Sequence, residues 1–150
     1  MAIRLLDTNV LVHAVYRASP LHAKAAELVD RGLRRRGLYC IAPQNLVEFA
    51  AVVTRSRLVA PPLPSNEVAR VGGVLFASRR LGKIYPLRAT VNRAIRQGAM
   101  LGLGGPAWYD LFLAMTMRDA GVSEIITEDT VHFRRFSFVQ AITIGEAVLE

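Results

Sequence analysis

Short apolar runs alternate with longer amphipathic stretches along the whole chain, and this alternation restricts the fold more than any other feature. The runs at 3–6, Leu38 to Ala42, 124–127 and 138–143 have strand length. Between them, apolar residues recur at helical spacing over 8–16, 20–36, 44–57, 65–81, 88–101 and 108–120, with a small helix at 144–149. Pro43 stops the second strand, and a short extended piece at 83–87 carries Pro86. Gly121 stands where a helix over 108–120 needs its C′ residue. Ser65, after Ala60-Pro61-Pro62-Leu63-Pro64, is placed to N-cap the helix that follows. Strands and helices in this order predict a parallel, three-layer α/β domain. In such sheets, sites form at the carboxyl ends of the strands.

At 150 residues, 52% of them hydrophobic, the chain is long enough for one domain spanning 1–150 with a buried core. The proline-rich piece reads as a loop inside that domain, because neither flank could build a core alone. No apolar run reaches the roughly 18 residues of a membrane span. The first residues lack the order of a signal peptide. Lone Cys40 cannot form an internal disulfide and reads as a buried thiol, so the expected location is the cytoplasm. Lys and Arg number 19 against 12 Asp and Glu, a net charge of +7 that favours polyanionic partners. The clusters Arg34-Arg35-Arg36, Arg79-Arg80 and Arg134-Arg135 would serve that purpose, or stand as solvated helix ends.

Four acids lie where an apolar segment ends or a helix begins. Asp7 follows Ile3-Arg4-Leu5-Leu6, Glu48 interrupts Leu46-Val47-Glu48-Phe49, Asp110 opens a helix after Gly104-Gly105-Pro106, and Asp129 follows Glu124-Ile125-Ile126-Thr127. Singly, Asp7 is explained as an N-cap and Asp110 as a first-turn acid. Glu48 is harder to explain locally. Its helix is apolar almost all round, which predicts burial on most faces, and no Lys or Arg occupies 44, 45, 51 or 52. Gathered in one pocket, two like charges about 5 Å apart repel by roughly 3 kcal/mol at an effective dielectric near 20. Four would stay ionised together only around a cation, and Mg²⁺ or Mn²⁺ suits oxygen ligands. His13, His22 and His132 lack a paired metal spacing, and His132 is expected to be packed or simply exposed, with a place on the rim of the site as the alternative. No phosphate loop, dinucleotide fingerprint or Gly-x-Ser-x-Gly elbow is present.

The segments Leu5-Leu6-Asp7-Thr8-Asn9-Val10-Leu11, Asn45-Leu46-Val47-Glu48-Phe49, Trp108-Tyr109-Asp110-Leu111-Phe112-Leu113-Ala114 and Thr127-Glu128-Asp129 with downstream Phe133 resemble, in order and spacing, the PIN-domain ribonucleases. The likeness is greatest to the VapC-type toxins of toxin–antitoxin pairs and runs over nearly the full length. It implies a PIN-like fold with a mainly parallel sheet of four to five strands flanked by helices. It also implies Asp7, Glu48, Asp110 and Asp129 as catalytic metal ligands for Mg²⁺ or Mn²⁺, with Asn9 and Thr127 supporting those ligands or positioning substrate. The stretch from Asp129 to Phe133 is one residue longer than the commonest form, which leaves Glu128 as an alternative to Asp129. Trp108-Tyr109 replaces smaller residues before the third acid.

The implied reaction is hydrolysis of an RNA phosphodiester to a 5′-phosphate and a 3′-hydroxyl. The implied partners are RNA, a VapB-type antitoxin docking largely on 44–81, and a second copy of the chain. Within that docking stretch, the loop Val59-Ala60-Pro61-Pro62 is expected to be exposed. The rival readings are a PIN nuclease of RNA processing and a non-catalytic RNA-binding domain.

Overall fold

A computed structural model describes residues 2–150. Five strands form one sheet: β1 (Arg4–Leu6), β2 (Tyr39–Ile41), β3 (Gly82–Lys83), β4 (Glu124–Ile126) and β5 (Gln140–Ile142). Every pairing is parallel, in the spatial order β3-β2-β1-β4-β5. The helices are α1 (Thr8–Val15), α2 (His22–Arg34), α3 (Pro43–Val53), α4 (Ser65–Ala77), α5 (Arg88–Met100), α6 (Ala107–Asp119), α7 (Thr130–Phe133) and α8 (Ile144–Val148).

The period-two geometry of a strand explains the three layers. Leu5, Cys40 and Ile125 point to one face of the sheet, where they pack with Ala94 of α5, Leu111 and Ala114 of α6 and Phe133 of α7. Their neighbours Leu6, Ile41 and Ile126 point to the other face, against Val10, Leu28, Phe49 and Ile144. All six are fully buried, so each short strand is apolar on both faces, as a covered parallel sheet requires. Burial in the apolar layer also pushes the Cys40 thiol up to about 12.

The chain runs outward from β1 to β2 and β3, then returns to the other side of β1 for β4 and β5. Neighbouring connections therefore diverge between β1 and β4, the switch point at which α/β sheets open a crevice. Asp7 leaves β1 there and Asp129 leaves β4 there, and the two ends are stitched by Asp7 N–H donating to Ile126 O at 3.1 Å.

Several local expectations change. Pro64, not Ser65, occupies the N-cap position of α4, and no side chain caps that end. The extended piece before α5 contributes only Gly82 and Lys83 to the sheet, and Gly82 passes so close to β2 that a Cβ would lie 3.1 Å from Cys40 Cβ. Gly121 does take the left-handed conformation after α6, with φ of 71°. Val59 is buried in the core, while Ala60, Pro61 and Pro62 stay exposed as expected.

Candidate active site at the carboxyl edge of the sheet

Asp7 is the centre of the site. It ends β1 and N-caps α1, with Oδ1 accepting from the Thr8 amide at 2.7 Å. Its Oδ2 accepts from Thr127 Oγ1 at 2.7 Å and from Asn9 Nδ2 at 3.2 Å. Both roles are filled at once: the cap and the network use different oxygens of one carboxylate. The residue is 7% exposed, and its pKa is pushed up to about 6. Burial is the main cause, and the neighbouring charges of Glu48 and Asp129 add to it, while the bonds from Thr127 and Thr8 oppose it.

Asn9, one side chain on the first turn of α1, spans the switch point. Its Nδ2 reaches Asp7, Thr127 Oγ1 at 2.9 Å and Asp129 Oδ2 at 3.2 Å, and its Oδ1 accepts from the Glu128 amide at 3.3 Å. Fully buried Thr127 completes the link by accepting from the Asp129 amide at 3.0 Å. Asp129 thus faces Asp7. Glu128 turns away: its Oε1 accepts from the Ile144 amide at 2.8 Å and ties β4 to the start of α8.

Glu48 approaches from α3. Thr8 Oγ1 donates to its Oε2 at 3.0 Å and Gln44 Nε2 to its Oε1 at 2.8 Å. Its helix is not buried on most faces, since Val47 is 71% exposed beside it. A salt bridge is absent as expected, and two neutral donors do its work instead. Asn45, fully buried one residue after Gln44, fixes the entry to α3 by accepting from the Ala42 amide at 2.8 Å and donating to Thr8 Oγ1 at 3.3 Å.

Asp110 enters from the first turn of α6. Burial holds its carboxyl above the ordinary carboxylate range; His132 and Arg135 pull it down, and Asp129 and Glu48 push it up. His132 Nδ1 lies 3.5 Å from Asp110 Oδ2. His132 is therefore half-exposed and beside a carboxylate, the rim position that was the alternative to a packed or merely exposed histidine. The signal for it was available, because His132 lies three residues after Asp129 and α7 carries it one turn onward. Gln44 was also legible as the residue one turn before Glu48, had neutral donors been sought as well as cations.

The structure thus brings Asp7, Glu48, Asp110 and Asp129 to one edge, with Asn9 and Thr127 between the first and last. Among the described residues, no three His, Cys, Asp or Glu side chains are already drawn together as a metal cage. The donor chemistry nevertheless fits a hard divalent cation: every group offered is oxygen, and the carboxylates raise one another's affinity for positive charge. Among the described residues, no helix is long and apolar enough to cross a membrane.

Known proteins share this fold, and one of them is similar in sequence over most of the chain. Ribonuclease VapC48 of Mycobacterium tuberculosis is 32% identical over 141 residues, covering 89% of this chain and 92% of the relative. The crystal structure of Mycobacterium tuberculosis VapC20, a Sarcin-Ricin loop cleaving toxin, superposes with a TM-score of 0.62 at 13% identity, over 83% of this chain and 87% of that one. VapBC-1 from nontypeable Haemophilus influenzae gives 0.61 at 17% identity, over 95% and 98%. The PIN domain model matches residues 4–139, nearly all of the sheet and both sides of the carboxylate edge, and the chain belongs to the PIN domain family.

Proposed function

We propose that this chain is a divalent-metal-dependent endoribonuclease that hydrolyses RNA phosphodiesters, and that it is the toxin of a VapBC-type pair. The observation that carries the reading is that Asp7, Glu48 and Asp129 are joined in one hydrogen-bond network, with Asp110 near enough for their charges to act on it, in a chain 32% identical to a named VapC ribonuclease. In this reading Asp7, Glu48, Asp110 and Asp129 hold Mg²⁺ or Mn²⁺. The cation supplies activation of a water and stabilisation of charge on the phosphate and the leaving oxygen. Asn9 and Thr127 hold Asp7 and Asp129 at their spacing, and Thr8 holds Glu48. Arg135 brings positive charge, and His132 a ring nitrogen, to the Asp110 side of the rim, where an RNA phosphate would approach.

The antitoxin partner follows from the family and from an apolar surface close to the site. Val47 of α3, Leu58, and Val74 and Phe76 of α4 are all exposed. An inhibitor seated there could place an arginine among the carboxylates, where bidentate pairing would replace the cation. A second copy of the chain is the other occupant expected for these faces, and a cytoplasmic location suits both partners.

RNA cleavage by the purified protein with and without Mn²⁺, alongside Asp7→Asn, tests the chemistry. Cleavage that needs Mn²⁺ and is lost in the variant is expected; cleavage insensitive to both would defeat the reading. Growth arrest on expression alone, relieved by co-expression of the neighbouring gene product, is expected of a toxin. The same cleavage without arrest would favour a nuclease of RNA processing.

A further inference from the structure

The Gln44 side chain is placed unlike any other near the carboxylates. Its single amide nitrogen donates to two acceptors on different helices, Glu48 Oε1 at 2.8 Å and the Tyr109 carbonyl at 3.1 Å. Tyr109 immediately precedes Asp110 at the start of α6. Asn9 and Thr127 connect Asp7 with Asp129, and Thr8 connects Asp7 with Glu48, but none of these reaches α6. Among the described residues, the Gln44 amide is the one hydrogen-bonded link between α3 and α6.

The other half of the same amide is left unpaired. Gln44 Oε1 is buried with no hydrogen-bond partner, the sole such side-chain atom found among the described residues. A buried acceptor without a donor destabilises the fold. Turning the amide over would not help, because Oε1 would then face the Glu48 carboxylate and the Tyr109 carbonyl, acceptor against acceptor. The orientation thus serves Glu48 and α6 at the expense of the oxygen. Local conflicts of this kind mark residues kept for function rather than for stability.

We propose that Gln44 is a positioning residue that sets the separation of Glu48 from the Asp110-bearing end of α6, and so tunes how tightly the carboxylate edge binds a divalent cation. The proposal rests on the metal-dependent reading above. Gln44 itself contacts neither cation nor RNA; it acts through the carboxylate it holds and the helix it tethers. Groups in that relation to a metal ligand change affinity or activity by about 10- to 100-fold when removed.

Gln44→Met keeps the length of the side chain and removes both the donor and the stranded acceptor. Mn²⁺ titrated into metal-free protein by calorimetry, without RNA, is expected to bind about 10- to 100-fold more weakly than to wild type. The Mn²⁺ concentration for half-maximal cleavage should rise in step, with KM for RNA within about two-fold. Thermal unfolding in EDTA should be unchanged or raised. Gln44→Leu repeats the test with a second side chain. Unaltered Mn²⁺ affinity in the variants would overturn the proposal. So would a large loss of stability in EDTA, which would make Gln44 a structural clamp only. A wild type that binds Mn²⁺ but cleaves no RNA would sink the nuclease reading instead, leaving the calorimetric comparison to judge Gln44.

Discussion

Replacing Asp7 by Asn should stabilise the metal-free protein at neutral pH. The carboxyl is 7% exposed and its pKa stands at about 6 against an ordinary value of 3.8. For an acid raised on folding, the folded state holds the proton more tightly, so stability falls as pH rises from about 4 to 6 and the loss is complete above that window. A rise of this size corresponds to about 3 kcal/mol at roughly 1.4 kcal/mol per pH unit. Asn keeps an oxygen for the Thr8 amide, while the Thr127 hydroxyl, whose lone pairs already accept from Asn9 Nδ2 and the Asp129 amide, must turn its hydrogen elsewhere. The variant's amide group also meets Asn9 Nδ2, donor against donor, which returns about 1–2 kcal/mol of destabilisation. The net gain should be about 1–2 kcal/mol, or roughly 3–6 °C in Tm for a chain of this size.

The assay is thermal unfolding in EDTA at pH 7.5 and pH 4, then with Mn²⁺ at pH 7.5. The gain should appear at the higher pH and vanish at the lower. Mn²⁺ should raise the Tm of wild type and much less that of the variant, since only a binding-competent folded state is stabilised by ligand. A variant less stable than wild type at pH 7.5 in EDTA would refute the reasoning, and so would a gain equal at the two pH values. Either outcome would make Asp7 chiefly a helix cap.

Asp110→Asn is expected to leave the Tm in EDTA within about 1 kcal/mol of wild type or above it, while abolishing Mn²⁺-dependent cleavage, because burial and two nearby acids oppose its charge. Gly98→Ala should destabilise by about 1–3 kcal/mol, since the added Cβ would lie 2.8 Å from Trp108 Cε3 and Cη2; Trp108 is the sole tryptophan, so its fluorescence reports the loosened α5–α6 contact directly. RNA binding by Asp7→Asn should weaken with salt at a slope of log K on log salt near −3, as about four contacted phosphates of a single strand require; a flat dependence would mean that the arginine excess plays no part in binding.

The layers were legible because strands buried on both faces read as plain apolar runs, and Leu5-Leu6, Cys40-Ile41 and Ile125-Ile126 are such runs. β3 resisted the same reading. Two residues of strand carry no periodicity, and its place is set by the missing side chain of Gly82. The four acids could be singled out by position, but their partners could not. A search for cations near Glu48 overlooked Gln44 and Thr8, because a neutral amide and a hydroxyl have many uses in a sequence and only geometry selects one. The exposure of Val47 was hidden for a related reason: an apolar helix reads alike whether the sheet or a partner protein is to cover it.

A basic chain with an acidic edge contains two opposed demands, and the network shows how they are reconciled. RNA would be drawn by the overall charge of +7, but a phosphate approaching four carboxylates would be repelled at the last step. Asn9, Thr127, Thr8 and Gln44 hold Asp7, Asp129 and Glu48 with neutral donors, so these bonds cancel none of the charge that a cation would meet. Arginine or lysine in those positions would stabilise the fold at the cost of the cation site. Burial is the main reason that Asp7 holds its proton to about pH 6, and the charges of Glu48 and Asp129, which neutral donors leave unrelieved, add to it. The same strain makes the edge receptive to positive charge of either origin. In the proposed function a divalent ion would relieve it and admit the phosphate, while a partner's guanidinium would relieve it equally and exclude the ion. Activity and inhibition would then draw on one electrostatic store, and the ratio of Mn²⁺ to inhibitor would decide which is expressed.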